Sequence, residues 1–253
     1  MKNIFNQSYE WVYQSFSLFK FSTRFSLVAG MFYLMFYMFI PATPGLNILS
    51  PILIMLWPFI TVFIVAFYLS ILEKKVFDFK KVMDLIRGKF ARFMSIGLLS
   101  IVYTLGLSAW VSSDVARIVE IPQGQGLGEI QFGDFSPIII KALVITIPFL
   151  MLTWFAPLLI AFNNFDFLKS IKSSFAGCLL YLFQILIAWT IIITVFVCII
   201  FLITLLISSM NFLGNNLISL FSSFFVLILA TIFIAMSFTF QTITYRKIFK
   251  SVI

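Results

Sequence analysis

The chain has 253 residues, of which 62% are hydrophobic and 10% charged, with a mean hydropathy of +1.12 and a net charge of +8. Soluble domains carry about 25% charged residues, so this chain cannot clothe a water-facing surface and most of it must face lipid. Histidine is absent, which removes the commonest general base and metal ligand. The two cysteines, Cys178 and Cys198, read as buried, inert thiols rather than a metal site.

In chain order, residues 1–24 predict an amphipathic helix. Tyr9, Val12, Phe16 and Phe19 recur at helical spacing, and Lys20 and Arg24 close the segment. Glu10 and the lack of a small-residue cleavage site argue against a cleavable signal peptide, so the first span is expected to act as an uncleaved signal-anchor.

A membrane-crossing helix needs ~20 apolar residues. Six stretches qualify, at about 25–41, 48–72, 93–112, 137–161, 179–208 and 217–241. Short uncharged turns at 41–45 and 211–216 join the first and last pairs. The middle pair is joined by a longer acidic connection at 113–136 with Asp114, Glu120, Glu129 and Asp134 against Arg117. Its "GQGLGE" at 124–129 lacks the context and the Lys-Ser/Thr ending of a phosphate loop and reads as a flexible loop.

The other side is basic. All but Arg117 and Lys141 of the 17 Lys and Arg residues lie in the N-terminal segment, the connections at 73–92 and 163–174, or the tail. The positive-inside rule then predicts both termini in the cytoplasm of a multi-pass protein of the bacterial inner membrane.

Those connections have helical periodicity. Over 77–93, Phe79, Val82, Ile86, Phe90 and Phe93 fall on one face, with Lys80 and Asp84 spaced to pair. Over 164–175, Leu168, Ile171 and Phe175 form a stripe beside Lys169 and Lys172, with Asn164 or Asp166 as N-cap. The fold expected is an all-α membrane domain of six transmembrane helices with short amphipathic cytoplasmic interfacial helices. It divides into three parallel helix–hairpin units at 1–72, 73–161 and 162–253 within a single domain.

The stretch "WFAPLLIAFNNFDFLKSIKSSFAGCLLYLFQILI" (154–187) resembles the signature of the YciC-like group of uncharacterised bacterial inner-membrane proteins. Ala156, Pro157, Ser170, Ile171, Lys172 and Ser174 carry the pattern, and "WVYQSFSLFKFSTRFSLV" (11–28) resembles that group's opening. More remotely, the chain is similar to the membrane domain attached to some glycerophosphodiester phosphodiesterases, whose catalysis sits in a separate soluble domain. The resemblance implies a six-helix membrane architecture and supplies no activity, cofactor or catalytic residue.

Function is read by elimination. The spans carry almost no charge, and Lys141 is expected to snorkel from the outer end of span four. Gln184 is placed to bridge helices, and Pro58, Pro148 and Pro157 to kink them. No metal, cofactor or nucleic-acid partner is called for. Lys74, Lys75, Lys80, Lys81, Arg87, Lys89 and Arg92 form a candidate surface for lipid headgroups or a partner protein. The function expected is a non-enzymatic accessory or scaffolding role with membrane lipids or other inner-membrane proteins. The alternative is a transporter or channel for a small or lipidic solute, which requires a polar cavity near the midplane.

Overall fold

A computed structural model describes residues 2–119, 132–208 and 215–249. The 124–129 glycine stretch and most of the 211–216 turn lie outside the described residues. All regular structure among the described residues is helical. Six helical stretches are long and apolar enough to span a membrane: Thr23–Ala42, Asn47–Leu72, Phe90–Ala116, Phe135–Asn163, Leu182–Ile207 and Leu217–Phe249. The protein is an all-α, multi-pass membrane protein.

The helices are α1 (Lys2–Phe21), α2 (Thr23–Leu34), a π-helical turn at Met35–Phe39, and α3 (Ile40–Ala42). Pro41 lies just beyond the π turn and has no N–H to continue an α ladder. There follow α4 (Ser50–Leu72), α5 (Phe79–Arg87), α6 (Phe90–Val119), α7 (Phe132–Thr153), α8 (Ala156–Asn163), α9 (Phe167–Leu180), α10 (Leu182–Ser208) and α11 (Asn215–Phe249). An interfacial-length helix therefore precedes each pair of spans. The helix expected over 77–93 stops earlier, because the chain turns at Gly88–Lys89 and hands Phe90 and Phe93 to α6. Likewise α9 takes residues 179–180 from the expected fifth span, and the chain breaks at Tyr181 before α10.

Two pairs of spans cross with backbone against backbone. Ser22, which precedes α2, and Ser26, Ala29 and Gly30 on it are buried, and a Cβ on Gly30 would run into the Thr231 carbonyl of α11. The facing stripe of α11 is also small: Thr231, Ala235 and Thr239 are buried. On α6, a Cβ at Gly97 would lie 2.8 Å from Met55 of α4. Small residues at such crossings let helices approach where no hydrophobic drive separates lipid from protein. Tyr68 adds a polar tie, donating to Ser26 Oγ at 3.0 Å.

The buried face of α1 alternates serines with large apolar residues. Ser8, Trp11, Ser15 and Leu18 pack inward against α10 and α11, whereas Tyr9 and Phe16 are more than half exposed. The aromatic stripe read from the sequence is thus the outer face of α1, one residue out of register with the face the bundle buries. On α9 too, Ser170, Ser174, Gly177 and Cys178 are buried, while Leu168 of the stripe is exposed and Ile171 packs at the edge of the core. Burial pushes the Cys178 thiol up to about 12, while Cys198 is exposed on α10, against the expectation that both are buried.

The core is concentrated at the basic end of the bundle. Its centre is α8, where Ala156, Leu158, Leu159, Ile160 and Ala161 are no more than 1% exposed. Lys247 of α11 reaches Glu10 of α1 at 3.3 Å, so the two ends of the described chain meet on that side.

Gly97→Ala is expected to lower the melting temperature in detergent by about 5 °C, since overpacking costs roughly 1–3 kcal/mol. Gly106→Ala on the same helix has no neighbour within 4 Å and should leave it unchanged or slightly raised. Thermal unfolding of the two variants side by side checks this.

Candidate functional site: a hydroxyl-lined cavity beside a broken helix

The fourth span is two helices, not one. The ladder stops at Thr153, Trp154 and Phe155 are bent, and α8 restarts at Ala156 with Pro157 in its first turn. Pro157 has no amide hydrogen and disfavours helix in the residue before it. A break inside lipid must find new partners for its freed backbone groups. Ser174 of α9 supplies two: its Oγ donates to the Met151 carbonyl at 2.9 Å and accepts from the Phe155 N–H at 3.0 Å. Gln241 of α11 supplies a third, its amide donating to the Trp154 carbonyl.

The far end of α8 is closed by cations. Lys89 Nζ donates to the Ala161 carbonyl at 2.6 Å. Arg92 donates to Asn164 Oδ1 at 3.3 Å and pairs with Asp166 at 3.1 Å. Asn164 closes α8 in the left-handed region at φ 56°, a conformation Asn tolerates. Tyr245 donates to Asn163 Oδ1. Positive groups at the negative end of a buried helix also suit its dipole.

Next to the break lies a cavity of about 370 Å³ walled by α2, the π turn, α4, α6, α7 and α11, with Trp154 of the break itself. Tyr103 and Phe233, both in its wall, are the middle residues of their spans, so the cavity sits at mid-membrane depth. Its wall includes Tyr33, Tyr37, Thr61, Ser100, Thr104, Thr153 and Ser237. No charged side chain lines it.

The hydrogen-bond pattern assigns this wall a polarity. The hydroxyls of Ser100, Thr104, Thr153 and Ser237 each donate to the carbonyl four residues back on their own helix, at 2.8–3.0 Å. Tyr37 donates to the Leu53 carbonyl at 3.0 Å, and Trp57 Nε1 to Ser100 Oγ at 2.8 Å. Their hydrogens are committed, and what remains on those oxygens is acceptor capacity. Trp154 Nε1 is buried and, among the described residues, has no hydrogen-bond partner; the Tyr33 and Thr61 hydroxyls of the wall make no hydrogen bond there either. Such a group costs roughly 1–3 kcal/mol when left unmade.

The seven cations singled out in the sequence do not form one surface. Lys89 and Arg92 point inward onto α8, and Lys89 is held below the usual lysine range by burial first and the nearby Arg92 charge second. Lys75 pairs with Glu73 at 2.7 Å. Lys74 joins Arg246 and Lys247 around a cleft of about 880 Å³ between α1, α4 and α11. Only Lys80, Lys81 and Arg87 stay together as an exposed set on α5, whose first turn is capped by Asp78 accepting from the Lys81 N–H at 3.1 Å.

Other expectations change on folding. Lys141 does not snorkel but pairs with Asp114 of α6 at 2.5 Å. Among the described residues Lys80 and Asp84 form no ion pair, and Gln184 makes no hydrogen bond. The amide that bridges spans is Gln241, which carried no distinguishing signal in the sequence. Asp166 is the N-cap residue of α9, but its side chain turns to Arg92 rather than to the helix.

No family model, curated protein or solved structure matches the chain.

Ser174→Ala should cost about 2 kcal/mol or more, because it strands both a carbonyl and an N–H in the apolar interior. Ser223→Ala, whose hydroxyl serves only its own exposed helix face, should stay within about 0.5 kcal/mol. Denaturant titration in detergent compares them. Asp114→Asn should destabilise more than the double change Asp114→Leu with Lys141→Met, because a lone Lys141 is then left unpaired. Melting curves of the single and double variants decide it.

Proposed function

We propose that the chain is a non-enzymatic carrier that binds an uncharged, hydroxyl-bearing amphiphile in the midplane cavity and moves it through the membrane. The single observation that carries this reading is the unpartnered, buried indole N–H of Trp154, a residue of a largely apolar wall that also carries several Ser and Thr hydroxyl acceptors. An alcohol group is complementary to both: its oxygen accepts from Trp154 Nε1 and its hydrogen reaches a Ser or Thr oxygen. The lack of lining charge favours a neutral ligand over an ion. The broken helix supports the same reading, since discontinuous spans commonly border membrane solute sites. The accessory role expected from the sequence rests on spans that carry almost no charge. Folding brings several of their scattered hydroxyls to the wall of one cavity.

We read the basic end as cytoplasmic and the membrane as a bacterial inner membrane, on the distribution of Lys and Arg. Membership of the YciC-like group is likewise our proposal. Its support is that Ala156, Pro157, Ser170 and Ser174, four residues of the resemblance, are buried at the helix break or in the adjoining core. A second reading, an accessory protein recruiting an acidic partner, draws on the cleft lined by Lys74, Arg246 and Lys247.

The test uses a fluorescent monoacylglycerol with the purified protein in liposomes. Saturable binding and faster transfer between leaflets are expected over empty vesicles. Trp154→Phe keeps an aromatic ring there, loses the donor, and should weaken binding about fivefold, the worth of one hydrogen bond near 1 kcal/mol. Absent binding and null transfer would sink the carrier reading. Capture of an acidic soluble protein abolished by Lys74→Gln with Arg246→Gln would favour the second.

A further inference from the structure

We infer that the bundle holds one anionic phospholipid at its basic end, with an acyl chain in an aromatic groove between α2, α4 and α5 and its phosphate at Arg87. The groove has a volume of about 600 Å³, and Arg87 is its one polar lining side chain. Its walls run from Phe25 to Phe32 on α2, seven residues or about 10 Å at the helical rise of 1.5 Å per residue. That path starts where α2 enters the membrane and ends near the middle of its span. On α4 the wall includes Phe59 and Phe63. Phe79 of α5 meets Phe63 edge to face at 5.2 Å and helps close the basic end.

The occupant follows from charge. Arg87 makes no ion pair among the described residues, and neither do Lys80 and Lys81 on the same helix. The helix carries these three cations against one acid, Asp84. Arg87 lines the apolar groove with its aliphatic stem and is exposed, so its cationic head stands beside the groove, which matches a molecule with a hydrocarbon tail and a phosphate head. A span from a second copy would not match it. Among the described residues the six spans contain a single acid, Asp114, and that is paired with Lys141.

The groove is separate from the midplane cavity. Trp57 and Thr61 of α4 face the cavity, whereas Phe59 and Phe63, on the opposite side of that helix, face the groove. The inference therefore stands or falls apart from the carrier reading.

The test is lipid retention by the full chain purified in mild detergent, with phospholipid classes quantified after extraction. About one phosphatidylglycerol or cardiolipin per chain is expected, enriched over the bulk membrane ratio. Arg87→Gln should cut that retention at least fivefold and leave phosphatidylethanolamine unchanged. Met83→Trp, which fills the groove, should displace the lipid without altering charge. Lys172→Gln, exposed on α9, should have no effect. Retention at the bulk ratio, or an equal loss in Lys172→Gln and Arg87→Gln, would overturn the inference. A second measurement needs no variant: native mass spectrometry of wild-type protein in phosphatidylcholine nanodiscs titrated with phosphatidylglycerol. Saturation at one bound lipid supports the site, and uptake that rises in proportion to composition refutes it.

Discussion

The interruption of the fourth span at Trp154–Phe155 is the constraint on which the rest of this bundle depends. In hydrocarbon a freed carbonyl or N–H has no water to turn to, so a broken helix survives only where protein supplies substitutes. Those substitutes come from two directions: Ser174 on α9 and Gln241 on α11. Repairing the break therefore fastens three elements together. It also frees α8 to turn fully into the core, where its carbonyl end needs Lys89, Arg92 and Tyr245. The most buried segment of the protein is thus the one whose backbone leans most on other helices.

Hydroxyls give this protein its internal polarity without charge. A Ser or Thr on a helix can donate to its own i−4 carbonyl and so enter lipid with its hydrogen already satisfied. The oxygen keeps lone pairs, and several such oxygens bordering one cavity give its apolar wall acceptor sites at small cost. The cavity between α2, α4, α6, α7 and α11 is built this way. Small hydroxyl residues also line the α2–α11 crossing, where Ser26 and Thr231 allow close approach while Tyr68 anchors the third helix. The same residue types serve packing at one place and solvation at another.

The basic belt is divided by what each cation faces. Lys89 and Arg92 neutralise the carbonyl end of α8 and are structural. Lys74 belongs with the tail, and Lys80, Lys81 and Arg87 remain available at the membrane surface. Charge that orients a membrane protein during insertion is in this way also distributed among distinct tasks after folding.

The sequence by itself determined the solvent, the helical class and the six spans, because hydrocarbon thickness and the cost of charge act on local composition. It also located the helices before each pair of spans, since their periodicity is local. It did not show which faces those helices turn to the bundle. Apolar stripes dominate the periodic signal of α1 and α9, yet the bundle takes Ser8, Trp11, Ser15 and Leu18 on α1 and Ser170, Ser174 and Gly177 on α9, because small residues allow close backbone approach once lipid solvates apolar side chains equally well. Only the tertiary structure decided the cavity, the break and the role of Gln241. Each joins residues tens of positions apart, such as Trp154 with Gln241 and Ser174 with Met151, and no local pattern records which polar group will meet which freed carbonyl.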